Sequence, residues 1–358
     1  MKITRILPLL AVLPLAAPML PAQTHAASQT APVLMLSDIH LDPFHDPAKV
    51  SRLRTAPATE WAAILAAPPS ATQVADFTKL QSTCGARGID TPDALLEASL
   101  KEAHTKQPKP LFVTVSGDLM AHQFDCRFKT LAPDGTPSDY SAFAAKTVAF
   151  VALRLRETFP GTPIYLALGN NDSGCNDYQE DPNSAFLRAD GNIFAADALT
   201  PANTIAIKRE FSQYGDYNIA LPIFNTRLIV LQDIFESKRY AACTGAKAND
   251  EVGGAGAEQI AWLRTQLEKA RATHEHVWVM AHIPPGIDAY STFSKGKNVC
   301  TAGDSGKSAA ATDKTAKAEM FLSSESLAST ITDFPDTIRL ALFGHTHMDE
   351  MRVYTTPS

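Results

Sequence analysis

Five short polar motifs, each directly after a largely apolar run, restrict the fold of this chain more than any other feature. The last is Gly344-His345-Thr346-His347, which follows residues 338–343. Residues i and i+2 of a strand point to the same side, so a strand end that turns into a loop can direct both imidazoles at one point. The other four motifs are Asp38-Ile39-His40, Gly117-Asp118, Gly169-Asn170-Asn171-Asp172 and Ala281-His282. Together the five motifs predict a two-metal hydrolytic site.

Strand-like and helix-like segments alternate along the chain, which predicts an α/β layered architecture. Strands are predicted at Val33–Ser37, Leu111–Ser116, Ile164–Leu168, Tyr217–Leu221, Arg227–Gln232, Val277–Ala281 and Ile338–Phe343. Helices are predicted from Thr91, over Ser141–Phe159, over Gly256–Ala272 and over Glu319–Thr332. Four long loops are predicted to surround the site, because each adjoins one of the five motifs. They are residues 43–88, 173–204, 237–256 and 290–318.

The first residues have the pattern of a secretory signal. Lys2 and Arg5 precede an apolar run over residues 6–20, and small residues up to Ala26 predict a signal peptide of residues 1–26. The run is short for a membrane-spanning helix, and no later segment is apolar enough to span a bilayer. We therefore expect a secreted or periplasmic protein; a retained membrane anchor is the alternative. The net charge of −6 and the absence of a Lys/Arg block give no indication of a nucleic-acid-binding surface.

Export permits disulfides, and all five cysteines lie in polar or glycine-containing stretches. Five is an odd number, so at least one cysteine has no partner within the chain. We predict the pairs Cys84–Cys126 and Cys243–Cys300. No CxxC spacing is present, which argues against zinc bound by thiolates.

The carboxylate, amide and imidazole groups of the five motifs suit divalent metal ions. Asp38 and His40 can reach one ion, and Asp118, after a glycine that permits a sharp turn, has two oxygens that can bridge two ions. Two cations ~3.5–4 Å apart bind a phosphoryl group from both sides and lower the pKa of a bound water. The predicted chemistry is attack of a metal-activated hydroxide on phosphorus.

The order Asp-x-His, Gly-Asp, Gly-Asn, His and Gly-His-x-His over residues 38–347 resembles the calcineurin-like metallophosphoesterase superfamily. The resemblance implies an α/β fold, a four-layer α/β/β/α sandwich of two mixed sheets, in a catalytic domain of residues 30–358. It implies that one ion is held by Asp38, His40, Asp118 and His347, and the other by Asp118, Asn170, His282 and His345. Zinc is the expected metal of this histidine-rich, thiolate-free set, and manganese or iron fit the same ligands.

A closer resemblance is to the acid sphingomyelinase-like phosphodiesterase branch, through the signal, the cysteines and the motif from Ser116 to His122. The resemblance implies that His122, four residues after the bridging Asp, assists proton transfer. Most members of the superfamily have a histidine after the metal-binding Asn, whereas this chain has Asn171. An amide cannot act as an acid near neutral pH, so Asn171 is expected only to orient phosphate. Asp172 is expected to cap the following turn, and Asp42 to be a solvated loop residue.

The resemblance predicts an exported two-metal phosphodiesterase acting on a small-molecule, lipid, nucleotide or polyphosphate phosphoester. A phosphomonoesterase or an endopolyphosphatase is the alternative within enzymes. A metal- or phosphate-binding protein without turnover is the alternative of another class, because of Asn171 and the short segment after His347. Members of the superfamily normally continue with further strands, so a truncated C-terminus with missing strands is also expected.

Overall fold

Seven strands form two sheets in the computed structural model, which describes residues 30–246, 254–295 and 318–354. The first sheet contains β1 (Leu34–Leu36), β2 (Val113–Ser116) and β3 (Ile164–Ala167), which are all parallel. The second sheet contains β4 (Tyr217–Ala220), β5 (Thr226–Val230), β6 (His276–Met280) and β7 (Ile338–Leu342). It is mixed, because β4 pairs antiparallel with β5 while β5, β6 and β7 run parallel. All of these strands lie in the unit Pro32–Ser358.

The two sheets pack face to face over a shared apolar core. Alternate residues of a strand point to opposite faces, and β5 follows this rule. Leu228 and Val230 lie in one apolar cluster with residues of the first sheet, whereas Ile229 packs in a second cluster on the other face. The hydroxyl of Tyr217 crosses the interface and donates a hydrogen bond to the carbonyl of Leu166 at 2.8 Å. The second sheet is therefore covered on both faces.

Eleven described α-helices cover the outer faces of the sheets or connect the strands. They are α1 (Val50–Thr55), α2 (Trp61–Leu65), α3 (Gln73–Thr83), α4 (Asp93–Lys106), α5 (Phe124–Leu131), α6 (Pro137–Thr158), α7 (Ala185–Asp197), α8 (Pro201–Tyr214), α9 (Ala255–Ala272), α10 (Ala289–Ser294) and α11 (Ser326–Asp333). Helices α9 and α11 bury Leu263 and Leu327 in the second cluster, while α6 and α7 bury Val148 and Phe194 in the first. The layers run helix, sheet, sheet, helix, and the predicted fold is confirmed.

The strands lie within about two residues of their predicted positions, but three predicted loops contain all or most of at least one helix. The loop predicted at residues 290–318 begins within α10, and residues 247–253 and 296–317 of the predicted loops lie outside the described residues. Residues 43–88 contain α1, α2 and α3, and residues 173–204 contain α7 and the start of α8. The short helices α1 and α2 bury Val50, Leu53, Trp61 and Ile64. This spacing of three residues within each helix is a helical signal, but one too short to stand out in the sequence. The helix predicted from Glu319 begins later, at Ser326.

One of the two predicted disulfides is confirmed. Cys84 is bonded to Cys126, with Cα atoms 5.7 Å apart. The predicted pair Cys243–Cys300 is wrong, because Cys243 is bonded to Cys175, with Cα atoms 5.4 Å apart. Cys300 and the predicted signal peptide lie outside the described residues. Among the helices that the structure describes, none has the length and apolarity that crossing a bilayer requires.

Candidate metal centre

The five motifs lie where five parallel strands end. The parallel strands of each sheet place their carboxyl ends at one rim, so loops distant in sequence meet there. The predicted ligands are Asp38 and His40 after β1, Asp118 after β2, Asn170 after β3, His282 after β6, and His345 and His347 after β7. The structure brings all seven side chains together in two groups that share one carboxylate.

The first group consists of Asp38, His40, Asp118 and His347, whose potential ligand atoms lie within 4.8 Å of one another. The Nε2 atom of His40 lies 3.5 Å from Oδ2 of Asp118 and 3.0 Å from Nε2 of His347. The Nε2 atom of His347 lies 3.4 Å from Oδ1 of Asp38. Two carboxylates and two imidazoles therefore point at one small volume.

The second group contains Asp118 again, with His282 and His345, under the same 4.8 Å limit. Oδ2 of Asp118 lies 3.2 Å from Nε2 of His282. The amide oxygen of Asn170 joins the group, 2.9 Å from Nδ1 of His345 and 3.2 Å from Nε2 of His282. Asp118 is the one residue common to both groups, which is the position that a bridging ligand requires.

Backbone carbonyls set the tautomers of two histidines. Nδ1 of His40 lies 2.9 Å from the carbonyl of Met120, and Nδ1 of His282 lies 2.7 Å from that of Ser116. A carbonyl only accepts hydrogen bonds, so in the neutral rings both Nδ1 atoms carry the proton and both Nε2 atoms present a lone pair. The lone pairs face the two groups. This second layer of hydrogen bonds is typical of histidines that bind metal.

The backbone at the ligands is unusual. Non-glycine residues rarely adopt a positive φ, because Cβ then crowds the carbonyl. Five of the eleven that do so among the described residues are ligand candidates: Asp38, His40, Asp118, His345 and His347, with φ between 46° and 74°. Each such residue costs about 1–3 kcal/mol, and strain of this kind concentrates at functional sites. The concentration supports a functional role for this rim.

Comparison with known proteins agrees with the geometry. The family model described as calcineurin-like phosphoesterase matches residues 31–349. The chain belongs to the calcineurin-like phosphoesterase family.

Three relatives of this calcineurin-like phosphoesterase are informative. Acid sphingomyelinase-like phosphodiesterase 3b of Mus musculus is 25% identical over 336 residues, covering 92% of this chain and 59% of that protein. Sphingomyelinase phosphodiesterase D of Dictyostelium discoideum is 26% identical over 268 residues, covering 75% and 50%. Endopolyphosphatase of Schizosaccharomyces pombe is 27% identical over 216 residues, covering 57% and 34%. The chain thus spans between 34% and 59% of these relatives' lengths.

The donor set of this calcineurin-like phosphoesterase fits divalent cations. Burial alone would raise the pKa of Asp118, but His282 and His40 outweigh it and hold the pKa below its usual range. Burial likewise opposes charge on His282, and Asp118 outweighs it and raises the pKa of His282 to about 10. Burial lowers the pKa of His345 to about 4, which keeps that ring neutral. Asp118 is therefore a buried anion that attracts positive charge, either a proton on His282 or a cation.

A glycine allows the two loops around Asp118 to approach closely. A Cβ added at Gly169 would lie 2.2 Å from Oδ1 and 2.4 Å from the backbone nitrogen of Asp118. Real Cβ atoms do not approach so closely, so any side chain here would displace the shared carboxylate. The glycine of the Gly169-Asn170 motif is thus required by the close approach of the loops.

His122 lies beside the first group. Its ring stacks on that of His40, with centroids 4.2 Å apart. Its Nδ1 lies 2.7 Å from Oδ1 of Asp90, and this hydrogen bond raises the pKa of His122. Asp90 also accepts a hydrogen bond from the buried guanidinium of Arg127, at 2.9 Å. The side chain of His122 is 39% exposed, so it can contact both the metal centre and solvent.

Asn171 contacts the shared carboxylate directly. Its backbone N–H donates to Oδ1 of Asp118 at 2.9 Å, and its side-chain Nδ2 donates to Oδ2 at 2.8 Å. The side chain is buried. The structure therefore gives Asn171 a role in holding Asp118, which the sequence did not predict. Orientation of phosphate by Asn171 stays a prediction.

Two interpretations of acidic residues are wrong. Asp172 does not cap the following turn; it is fully buried and accepts backbone hydrogen bonds from Gly169, Leu119 and Met120. It thereby ties the Asp118 loop to the Asn170 loop. Asp42 is not solvated but buried, and it accepts a hydrogen bond from Arg127 at 2.6 Å.

Asp233 was missed altogether. It is fully buried and accepts hydrogen bonds from the backbone N–H groups of His282 and Ile283 at 2.9–3.2 Å. It therefore holds the His282 loop in the way that Asp172 holds the loops around Asp118. Its signal was present in the sequence, because Asp233 follows the apolar end of β5 just as the five motifs follow their strands.

Proposed function

We propose that this chain is an exported phosphodiesterase that binds two divalent metal ions at the rim formed by its two sheets. The observation that carries the proposal is the sharing of Asp118 between two groups of donor atoms. Binding a phosphate group alone does not require two donor groups joined by one carboxylate. Hydrolysis of a phosphoester does gain from them, because charge develops on both the attacking and the leaving oxygen.

The assignment of ligands follows the two groups. Asp38, His40, Asp118 and His347 would hold one ion, and Asp118, Asn170, His282 and His345 the other. Four imidazoles and no thiolate favour zinc, and manganese or iron suit the same donors. Ions bound there would lower the pKa of a water molecule and offset the negative charge of the phosphoryl oxygens.

His122 is the proton donor for the leaving group in this proposal. Asp90 accepts the Nδ1 proton, so Nε2 of the protonated ring is the atom available to the substrate. As the bond from phosphorus to the leaving oxygen breaks, Nε2–H transfers its proton to that oxygen, and solvent then reprotonates the ring. Asn171 contributes by fixing both oxygens of Asp118 through its two N–H donors.

The substrate class rests on the relatives and on the location of the protein. Similarity to two proteins named as phosphodiesterases favours a phosphodiester substrate. Similarity to a protein named endopolyphosphatase favours polyphosphate as the second candidate. Two disulfides and the signal-like residues 1–26 support export.

The test begins with the chain purified without residues 1–26. Bound metal is measured by elemental analysis, and hydrolysis is assayed with an aryl phosphodiester, an aryl phosphomonoester and polyphosphate. Two metal equivalents with preference for the diester support the proposal. Preference for polyphosphate favours the second candidate, and two metals without hydrolysis of any of the three favour a binding protein.

The role of His122 has its own test. His122→Asn should lower kcat for the diester by about 10²–10⁴-fold, the usual contribution of a general acid, without lowering metal content. The matched control is His274→Asn, which changes an exposed histidine on the connection from α9 to β6. Equal kcat in the two variants would refute the proposed role of His122 as the proton donor. Loss of metal in His122→Asn would instead make the residue a ligand.

A further inference from the structure

The amide of Asn170 can take only one orientation. Its Nδ2 lies 2.7 Å from Oδ1 of Asp177. An ionised carboxylate only accepts hydrogen bonds, so the NH₂ group must face Asp177. The amide oxygen is then directed at the ring nitrogens of His282 and His345, at 3.2 and 2.9 Å. Asp177 therefore decides which atom of Asn170 faces the second group.

The next residue contacts another member of the same group. The hydroxyl of Tyr178 lies 3.3 Å from Nε2 of His345, whose Nδ1 faces the amide oxygen of Asn170. Tyr178 is buried and has a positive φ of 58°. Two consecutive residues thus contact two side chains assigned to the second ion.

The guanidinium of Arg239 contacts both Asp177 and Tyr178. Nη2 of Arg239 lies 2.9 Å from Oδ2 of Asp177, and the guanidinium carbon lies 3.9 Å from the centroid of the Tyr178 ring. A planar guanidinium can form an ion pair and stack on an aromatic face at the same time, which an ammonium group does less well. Its side chain is 65% exposed, so Arg239 contacts Asp177 and Tyr178 from the solvent side.

The segment that carries Arg239 is fixed to the segment that carries Asp177. The backbone N–H of Ala241 donates to the carbonyl of Tyr178 at 3.1 Å. The disulfide Cys175–Cys243 joins the same two segments. The positions of the Asp177 and Tyr178 side chains therefore depend on the 239–243 segment, which lies about 60 residues away in sequence.

We propose that Asp177, Tyr178 and Arg239 form a clamp that positions Asn170 and His345 for the second metal ion. The clamp rests on the proposed two-metal centre. Its three members are positioning residues, because none of them is assigned to a metal ion. Removal of a partner that orients a metal ligand typically lowers metal affinity about 10–100-fold. The contacts described involve the second group, so the weakening should affect one ion of the two.

The test is a calorimetric titration of the metal-free chain with Zn²⁺ and, separately, with Mn²⁺. The wild-type chain should bind two ions. In Asp177→Ala and in Arg239→Ala, one binding event should weaken about 10–100-fold while the other keeps its wild-type affinity. Tyr178→Phe removes only the hydroxyl, so it should produce a smaller weakening of the same event.

Two variants serve as matched controls. Lys238→Ala removes an exposed positive charge from the neighbouring position and should leave both affinities unchanged. Arg239→Lys keeps the charge but not the planar group, and should lie between the wild type and Arg239→Ala. Circular dichroism of each metal-free variant establishes that it is folded, and Asp177→Asn, which keeps an acceptor oxygen and the side-chain size, replaces Asp177→Ala if that variant does not fold.

Equal weakening of both ions, or two wild-type affinities in Asp177→Ala and Arg239→Ala, would overturn the clamp and leave the proposed function intact. A wild-type chain that binds fewer than two ions would overturn both proposals. Two ions with the expected selective weakening, but no hydrolysis of any phosphoester, would support the clamp and overturn only the enzymatic proposal.

Discussion

Gly344→Ala places a methyl group against Ser37 and Asp38 in the proposed metal centre. A Cβ at residue 344 would lie 2.1 Å from Oγ of Ser37, 2.7 Å from Oδ2 of Asp38 and 3.0 Å from the carbonyl of Ser116. Carbon and oxygen atoms normally stay about 3.3 Å apart or more. The φ angle of Gly344 lies outside the left-handed region, so the expected effect comes from this clash and not from backbone strain.

The two nearest clashing atoms, Oγ of Ser37 and Oδ2 of Asp38, form one of the hydrogen bonds that hold the Asp38 carboxylate. Oδ2 of Asp38 accepts a hydrogen bond from Oγ of Ser37 at 2.5 Å, and Oδ1 accepts one from the backbone N–H of His345 at 2.9 Å. Overpacking of this kind costs about 1–3 kcal/mol in the free energy of unfolding. Displacement of a ligand's supporting contacts lowers metal affinity about 10–100-fold, which corresponds to ~1.4–2.7 kcal/mol of binding free energy.

The assay combines urea unfolding of the metal-free chain with calorimetric metal titration. Gly88→Ala is the matched control, because a Cβ there has no neighbour within 4 Å and the φ of Gly88 also lies outside the left-handed region. The double variant Ser37→Ala/Gly344→Ala removes the nearest atom and should recover part of the loss. Wild-type metal affinity in Gly344→Ala, or a loss equal to that of Gly88→Ala, would refute the reasoning.

Two further predictions concern stability. Burial raises the pKa of Asp216 from 3.8 to about 7, so between those values the folded chain keeps a proton that the unfolded chain releases, and the free energy of unfolding falls as pH rises. Burial raises the pKa of Asp172 and Asp233 to about 7 as well, so Asp216→Asn should reduce the fall between pH 5 and pH 8 in urea unfolding without abolishing it; an unchanged pH dependence would contradict the assignment. The disulfide Cys175–Cys243 spans 68 residues, and loop-closure entropy predicts that its replacement by two alanines costs about 4 kcal/mol. Replacing Cys84–Cys126, which spans 42 residues, should lower the free energy of unfolding nearly as much. Only the replacement of Cys175–Cys243 should weaken metal binding, and equal metal affinity in the two variants would contradict this prediction.

The candidate ligand residues could be located from the sequence because each motif is local. A strand is recognisable from four or five residues, and the residue after its end is displayed at the rim of the sheet. Asp118 and His282 were found in this way, and the fold class followed from the same alternation of strands and helices. Nothing in this inference requires knowing which distant loops touch one another.

The proposed clamp and the hydrogen bond between Asp90 and His122 could not be predicted, because they join loops that are distant in sequence. Asp177 and Arg239 are 62 residues apart, and Asp90 contacts His122 across 32 residues. Loop residues of this kind carry no periodic pattern, and their partners are decided by how the loops pack. The wrong pairing of Cys243 has the same cause, because cysteine spacing does not tell which loops meet.

The packing of these loops also explains how the strained ligands persist. Residues at positive φ remain there only when surrounding contacts over-determine the backbone. Asp172 supplies such contacts at Asp118 by accepting three backbone N–H groups around it. Asp233 holds the loop of His282 in the same way, although His282 is not among the residues with a positive φ. Because these acceptors belong to the chain itself, the loops that carry Asp118 and His282 are held by contacts within the protein. In the proposed two-metal centre, binding would therefore not have to offset the cost of ordering these two loops.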